Sequence, residues 1–140
     1  MDEKLPFIGE CLVATRWGDL DSYGHVNNSR YFEYMTEGRG KVLSHIMTPY
    51  DETQYVLVYT NCTFKKSILY PGNVLIRHYL KGLGHTSFTI FSELLSEDGT
   101  VFYAEGDAKL VCLDPEKGAP VTIPERLREK LETFSALICK

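Results

Sequence analysis

The 140-residue sequence has no long hydrophobic run, and its longest uninterrupted apolar stretch is YVLVY at residues 55–59. A membrane-spanning helix needs about 20 mostly apolar residues, so no membrane span is expected. The first ten residues, MDEKLPFIGE, also lack the apolar core of a signal peptide. Together these absences predict a cytoplasmic protein.

Cysteine is scarce, and the four cysteines form no C-x-x-C pair. Their wide spacing predicts reduced thiols, with neither disulfides nor a zinc site. An excess of basic charge is also lacking, because 15 Lys and Arg stand against 19 Asp and Glu, for a net charge of −4. General nucleic-acid binding needs a broad basic surface, so none is expected, although a local cluster could hold a phosphorylated ligand. The cysteines are Cys11, Cys62, Cys112 and Cys139.

Several familiar catalytic signatures are missing as well. The sequence has no G-x-S-x-G elbow, no P-loop and no H-E-x-x-H motif. The GLG at residues 82–84 lies between predicted strands, whereas a dinucleotide-binding loop precedes a helix. We therefore expect no metal and no cofactor.

The residues that are present predict one α+β domain over residues 1–140. Apolar residues at spacings of three, four and seven predict a helix from Asn28 to about Ile46, with Asn27 or Asn28 as its N-cap. Gly38 and Gly40 each cost such a helix about 1 kcal/mol relative to Ala, which suggests that the helix approaches a sheet closely.

Most other segments read as strands joined by short turns, and short turns favour antiparallel neighbours. The run of apolar residues at 11–14 suggests that the first strand is buried on both faces. A second, shorter helix opens at Pro124. The sequence thus predicts one long helix packed on an antiparallel sheet. The predicted strands are 8–16, 55–64, 74–81, 86–95 and 100–113, and the second helix covers 125–134.

A polar loop, GDLDSYGHVNN at residues 18–28, precedes the long helix. A helix N-terminus carries unpaired amides that can hold the oxyanion formed when an acyl carbonyl is attacked. The nearby carboxylate of Asp21 could be the attacking group or could activate water. Asp and Asn are also common turn and cap residues, and spacing alone favours that structural reading.

The segment RWGDLDSYGHVNNSRYFEYMTEGR at residues 16–39 resembles the signature of hotdog-fold acyl-CoA thioesterases of the 4-hydroxybenzoyl-CoA thioesterase type. LYPGNVL, GLGHTSF and VCLDPEKGAPVTIPERLREKL resemble later segments of that family, so the resemblance covers nearly the whole chain. It implies a sheet wrapped around one central helix. The family pattern D-x-D-x-x-G-H-V-N-N-x-x-Y is supplied by Asp19, Asp21, Gly24, His25, Val26, Asn27, Asn28 and Tyr31.

The resemblance assigns roles to these residues. Asp21 is the catalytic carboxylate, acting as nucleophile or as general base. Amides at Asn28 and Ser29 polarise the thioester carbonyl. His25 and Asn27 are expected to shape the loop around Asp21 by hydrogen bonds, and proton transfer is the alternative role of His25. Tyr31 either packs in the core or lines the acyl pocket.

The resemblance also implies acyl-CoA as substrate and a dimer, or a dimer of dimers, with the site between two subunits. Coenzyme A carries phosphates, so cations should lie near its entrance, although each candidate is individually typical of a solvated strand face. At the family's G-x-x-S hairpin this chain lacks basic residues, but its backbone could meet the pantetheine arm. The candidate cations are Lys65, Lys66, Arg77 and Lys81, and the hairpin residues are Gly84, His85, Thr86 and Ser87.

Three other functions remain open from the sequence. The acyl group could ride on acyl carrier protein rather than on coenzyme A. A hotdog dehydratase or hydratase would act on hydroxyacyl or enoyl thioesters, but the H-F-P segment of such enzymes is absent. A non-catalytic acyl-CoA-binding module would keep the fold without the reaction. The identity of the acyl group is not encoded in any motif.

Overall fold

The computed structural model describes residues 5–46 and 54–138, with side chains up to residue 133. Six strands and two α-helices follow one another along the chain, and a short 3-10 helix at Trp17–Asp19 lies between the first strand and the first α-helix. The elements are β1 Phe7–Ala14, α1 Asn28–Ile46, β2 Gln54–Thr60, β3 Thr63–Phe64, β4 Asn73–Leu83, β5 Ser87–Ser96, β6 Phe102–Leu113 and α2 Glu125–Ile138.

The strands form one antiparallel sheet in the order β1-β4-β5-β6-β2, and β3 pairs with a separate part of β6. Every second residue of β4, from Val74 to Leu80, is buried on one face, which is the alternation expected of a half-buried strand. α1 contacts β1 and β4. The predicted antiparallel sheet with one long helix is therefore confirmed.

The 19-residue helix α1 has the predicted bounds. Its buried residues recur at helical spacing, from Tyr31 and Met35 to Val42 and Ile46. They fill two apolar clusters between the helices and the sheet, and α2 closes one of them with Leu127 and Leu131. Burial of this stripe explains why the sequence period alone located the helix.

The two glycines of α1 differ in how closely the sheet approaches them. A Cβ on Gly38 would lie 2.9 Å from Nε2 of His78 and 3.2 Å from Cδ1 of Ile76, so the helix does approach the sheet there. A Cβ on Gly40 would meet nothing within 4 Å. The close-approach prediction is confirmed for Gly38 and wrong for Gly40, which faces open space.

Two strand predictions need correction. β1 is not buried on both faces, because several of its residues are exposed, among them Leu12 at 45%. The predicted strand 55–64 is interrupted where the Asn61 backbone crosses Gly106 so closely that a Cβ there would lie 2.0 Å from the Asn61 carbonyl oxygen. Asn61 Oδ1 instead accepts a 3.0 Å hydrogen bond from the Asp107 amide, so its side chain replaces one ladder bond.

Candidate active site

The loop between β1 and α1 closes on itself as a narrow turn. The Asp21 amide donates to the His25 carbonyl at 2.8 Å, and the Gly24 amide donates to the Asp21 carbonyl at 3.1 Å. Gly24 has a φ of +79°, in the left-handed region that favours glycine. Asp21 is therefore held at a fixed position in the turn rather than on a free loop.

The Asp21 carboxylate is oriented through one of its oxygens. Its Oδ1 accepts hydrogen bonds from the amides of Tyr23 at 2.9 Å and His25 at 3.2 Å. Among the described residues no donor reaches Oδ2. One oxygen thus anchors the carboxylate, and the other is open to a substrate or a water molecule. His25 takes part through its backbone, and its exposed imidazole has no hydrogen bond to a described group.

Asn27 is the N-cap of α1. Its Oδ1 accepts from the amide and from the hydroxyl of Ser29, each at 3.0 Å, which is the usual bond from a cap to the second helical residue. The Ser29 amide is therefore occupied, and Ser29 cannot serve as an oxyanion donor in this arrangement. The Asn28 amide has no acceptor among the described residues, so only one of the two expected donors is open.

Asp19 connects the loop to α1 through its buried carboxylate. It is 7% exposed, and its Oδ2 accepts from the Tyr34 hydroxyl at 2.7 Å and from Nε of Arg16 at 3.1 Å. Nε of Arg30 lies 3.6 Å from Oδ1. Burial alone would raise the pKa of Asp19, but these donors and charges outweigh it and hold that pKa below its usual value. Asp19 is thus an ionised anchor, distinct from Asp21.

Tyr31 belongs to the core behind the loop. It is 2% exposed, and its hydroxyl donates to the Lys66 carbonyl and accepts from the Ile68 amide at 3.0 Å. The Val26 amide in turn donates to the Ile68 carbonyl, and His25 pairs with Leu69. Of the two roles expected for Tyr31, the structure shows packing in the core. Its hydroxyl also holds segment 66–69 next to the Asp21 turn by hydrogen bonds.

The hairpin at residues 84–87 lies far from Asp21 within one chain. The end of β1 that leads to the Asp21 loop pairs with the start of β4, whereas the hairpin follows the other end of β4. β4 has 11 residues, so its ends are roughly 33 Å apart at about 3.3 Å per residue. The hairpin is bound instead to the C-terminal part, where Ile123 and Arg128 donate to carbonyls of His85 and Gly84. Within one chain, the hairpin at residues 84–87 and the loop that carries Asp21 are therefore not brought together.

Three of the four candidate cations already have acidic partners. Only Lys66 has no ion pair with a described residue, and it lies in the segment beneath the Asp21 turn. Exposed ion pairs contribute little free energy, so each cation could leave its acidic partner and bind a phosphate. In the structure, however, the charge of each of these three cations is balanced by its acidic partner. The pairs are Lys65 with Glu105 at 3.1 Å, Arg77 with Glu10 at 3.0 Å, and Lys81 with Asp107 at 2.7 Å.

An apolar surface beside the turn was not predicted from the sequence. Tyr23 within the turn is 85% exposed and Leu69, which pairs with His25, is 60% exposed. Trp17 and Tyr70 nearby in the chain are also exposed. The sequence signal that could have indicated this surface is the presence of large apolar side chains in polar loops. Exposed apolar patches of this kind mark binding surfaces.

Absences within the described residues bear on other chemistries. The described part of the chain has no group of three His, Cys, Asp or Glu side chains placed to hold a metal ion. It also has no helix of the length and hydropathy needed to cross a membrane. Cys11, Cys62 and Cys112 are free thiols, and Cys139 lies outside the described residues.

Known proteins are similar to this chain in sequence and in fold. The chain is 27% identical over 125 residues to the long-chain acyl-CoA thioesterase FadM of Escherichia coli K12, covering 86% of this chain and 94% of FadM. The PA2801 protein of Pseudomonas aeruginosa superposes with a TM-score of 0.80 at 28% identity, covering 88% of this chain and 97% of that one. The DHNA-CoA thioesterase of Staphylococcus aureus, at 18% identity, a TM-score of 0.78 and coverage of 93% and 90%, shows the shared fold alone.

The family model of the thioesterase-like superfamily matches residues 15–131, which is most of the chain. The matched range begins just before the Asp21 loop and ends in α2. The chain therefore belongs to the thioesterase-like superfamily and is a hotdog-fold thioester hydrolase.

Proposed function

We propose that the protein hydrolyses an acyl-CoA thioester to a free carboxylic acid and coenzyme A, with Asp21 as the reactive carboxylate. The observation that carries the proposal is the asymmetric Asp21 carboxylate, whose Oδ1 is fixed by two amides while Oδ2 is open. Coenzyme A as the carrier is supported by the similarity to FadM, a long-chain acyl-CoA thioesterase. The reaction needs only water as co-substrate, so no cofactor is invoked.

The reaction can follow two routes at Asp21. As general base, Asp21 takes a proton from water, the hydroxide adds to the carbonyl carbon, and the C–S bond breaks to release the thiolate, which takes up the proton. As nucleophile, Oδ2 adds to the same carbon, the thiolate leaves, and water then hydrolyses the acid anhydride. In both routes the amide of Asn28, at the positive end of α1, stabilises the oxyanion.

A second copy of the chain would complete the site. Among the described strands β2 pairs with β6 alone, and its residues Val56, Leu57, Val58 and Tyr59 are 38–58% exposed. An open apolar edge strand favours pairing with another chain. A homodimer, or a dimer of dimers, would also allow the hairpin at 84–87 of one chain to approach the Asp21 loop of the other, which one chain alone does not achieve.

The test measures thiol release from short-chain, long-chain and aromatic acyl-CoAs. Asp21→Asn keeps the shape and the Oδ1 acceptor, and we expect it to lose at least about 100-fold in rate. Asp114→Asn is the matched control, because Asp114 Oδ1 also accepts from two turn amides, those of Glu116 and Lys117. Equal activity of Asp21→Asn and wild type would remove Asp21 from the mechanism.

Further measurements separate the open alternatives. Turnover in H₂¹⁸O followed by mass analysis of the Asp21 peptide distinguishes the routes, because water attack on the aspartyl carbonyl of an anhydride labels the protein. Hydrolysis of acyl carrier protein thioesters but not of acyl-CoAs would show that the substrate carries its acyl group on acyl carrier protein rather than on coenzyme A. Binding without any release would indicate a non-catalytic module. Light scattering of wild type and Val58→Lys tests the edge pairing, and we expect the variant to shift toward monomer.

A further inference from the structure

A cleft lies between α1 and the strands β2 and β6, on the flank of α1 that faces the open edge of the sheet. Its volume is about 260 Å³, enough for roughly nine water-sized groups at about 30 Å³ each. We call it the α1–β2 cleft. It is lined by Thr36, Arg39, Gly40, Tyr55, Leu57 and Leu110.

Arg39 gives the α1–β2 cleft a buried positive charge. The side chain is 5% exposed, and its Nη2 donates to Thr36 Oγ1 at 3.2 Å. No described carboxylate lies within ion-pair distance of the guanidinium. Asp19, the other buried charged residue of the described chain, has several charged and hydroxyl partners by contrast. A guanidinium has five N–H donors and does not deprotonate in proteins, so among the described residues Arg39 has donors without acceptors and a charge without a counter-ion.

The remaining walls of the α1–β2 cleft are mainly apolar. Leu110 is buried, Tyr55 is half-buried and Leu57 is exposed at the open side. Burial raises the pKa of Tyr55, so its phenol stays neutral at ordinary pH. A buried fork of donors in the wall of a mainly apolar cleft fits a carboxylate attached to a hydrocarbon chain, because guanidinium binds carboxylate bidentately.

The α1–β2 cleft lies within reach of the proposed oxyanion site along the same helix. The Arg39 head group lies beside Thr36, and 36 − 28 = 8 residues separate Thr36 from Asn28. At about 1.5 Å per residue this is roughly 12 Å along the helix axis. An acyl group with its thioester carbon at the Asn28 amide could therefore extend toward Arg39.

We propose that the α1–β2 cleft is a carboxylate-binding subsite in which Arg39 holds the distal carboxylate of an ω-carboxyacyl group. This assignment rests on the proposed hydrolysis of acyl-CoA for its substrate class. The same chemistry would also recognise a free carboxylic acid with an apolar tail. The experiment therefore has separate arms for the thioester and for the free acid.

The thioester arm compares octanoyl-CoA with suberoyl-CoA, which differ in the distal carboxylate. We expect wild type to show a kcat/KM about 10- to 100-fold higher for suberoyl-CoA, the range typical of a hydrogen-bonded charge. Arg39→Gln should abolish that preference, and Arg39→Lys should keep part of it because the charge remains without the fork. Lys41→Gln, which removes an exposed cation on the same helix, should leave the preference unchanged.

The free-acid arm measures calorimetric binding of suberate and octanoate to wild type and the same variants. Arg39-dependent binding of both acids, without a preference for suberoyl-CoA, would identify the free acid as the ligand of the subsite. Arg39-dependent suberate binding without thiol release from any acyl-CoA would support the subsite and refute the proposed hydrolysis. Should Arg39→Gln fail to fold, the wild-type preference and the milder Thr36→Val, which alters the guanidinium's one partner, still test the assignment.

Two results would overturn the subsite. One is thiol release by wild type with equal kcat/KM for both thioesters and no Arg39-dependent acid binding. The other is a lower oligomer mass for Arg39→Gln with unchanged acid binding, which would mean that a second copy of the chain supplies the acceptor for Arg39.

Discussion

The hydroxyl of Tyr34 donates a 2.7 Å hydrogen bond to Oδ2 of Asp19, joining the second turn of α1 to the loop that carries Asp21. Tyr34 is fully buried, and burial followed by the negative charge of Asp19 raises its pKa. The backbone of Asp19 adds a second link, because its carbonyl accepts from the Asn27 amide at 2.9 Å. The position of the turn that carries Asp21 therefore depends on the hydrogen bonds of Asp19.

Tyr34→Phe should destabilise the protein by about 1–3 kcal/mol, because it removes a buried hydrogen bond to an ionised group. Urea unfolding at pH 7 measures the change in the free energy of unfolding. Tyr23→Phe is the matched control, since the Tyr23 side chain is 85% exposed and its loss of a hydroxyl should cost little. An unchanged stability of Tyr34→Phe would show that the bond does not anchor the loop.

The start of α1 and the approximate position of its end were predicted from the sequence, whereas the strand ends were not. The bounds of α1 follow from local signals, namely the Asn27 cap and the buried stripe. The interruption after Thr60 comes from the contact between Asn61 and Gly106, residues far apart in sequence, and no local pattern encodes it. β1 was predicted to be buried on both faces because its composition is apolar, but which of its faces the core covers depends on how the sheet packs against the helices, which no local pattern encodes.

The candidate site was also predictable only in part, because some of its features follow from local motifs and others from the folded structure. The family resemblance selected Asp21, and the open Oδ2 agrees with a reactive role without testing it. Sequence reasoning did not foresee that the Asn27 side chain occupies the Ser29 amide, because either asparagine could have been the cap. It also missed Arg39, because a single arginine at a core-facing helical position gives no local sign that it is buried with no carboxylate of the described residues beside it.

The two glycines of α1 should respond in opposite ways to alanine. Gly40→Ala should stabilise the protein by up to about 1 kcal/mol, since its Cβ meets nothing within 4 Å and Ala is the better helix former. Gly38→Ala should destabilise it by about 1–3 kcal/mol, because the new Cβ would press on His78 and Ile76 in a packed core. Thermal unfolding of both variants checks this, and stabilisation by Gly38→Ala would refute the close contact.

Asn27→Ala should cost about 1 kcal/mol of stability by removing the cap of α1. It should also lower kcat by about 10-fold, because under the proposed mechanism the Asn28 amide is then less firmly oriented toward the oxyanion. Asn27→Ser offers a hydroxyl that can cap the helix, so it should recover most of the stability and the rate. Denaturation and thiol release, measured on the same preparations, test the link. A normal rate in Asn27→Ala despite lost stability would show that the reaction does not depend on the Asn27 cap.

His78 should make the stability depend on pH between about 6.5 and 4. The ring is fully buried, its Nδ1 lies 2.7 Å from Ser92 Oγ, and Nε2 has no described partner. Burial, followed by the nearby charge of Arg39, lowers the pKa of His78 to about 4. The folded state thus favours the neutral ring, whereas the unfolded chain titrates near pH 6.5.

Because the folded pKa is depressed, the stabilisation from neutral His78 is complete above about pH 6.5 and is lost as the pH falls toward 4. The difference of about 2.5 pKa units corresponds to about 3 kcal/mol. Urea unfolding from pH 7 to 4 should show this loss in wild type and in His45→Gln, whose histidine is exposed. His78→Gln should be less stable at pH 7 but lose about 3 kcal/mol less on acidification. Carboxylates such as Asp19 also favour the folded state more at higher pH, so the wild-type minus variant difference isolates His78. Parallel pH profiles would mean that His78 accepts a proton as readily in the folded state as in the unfolded chain.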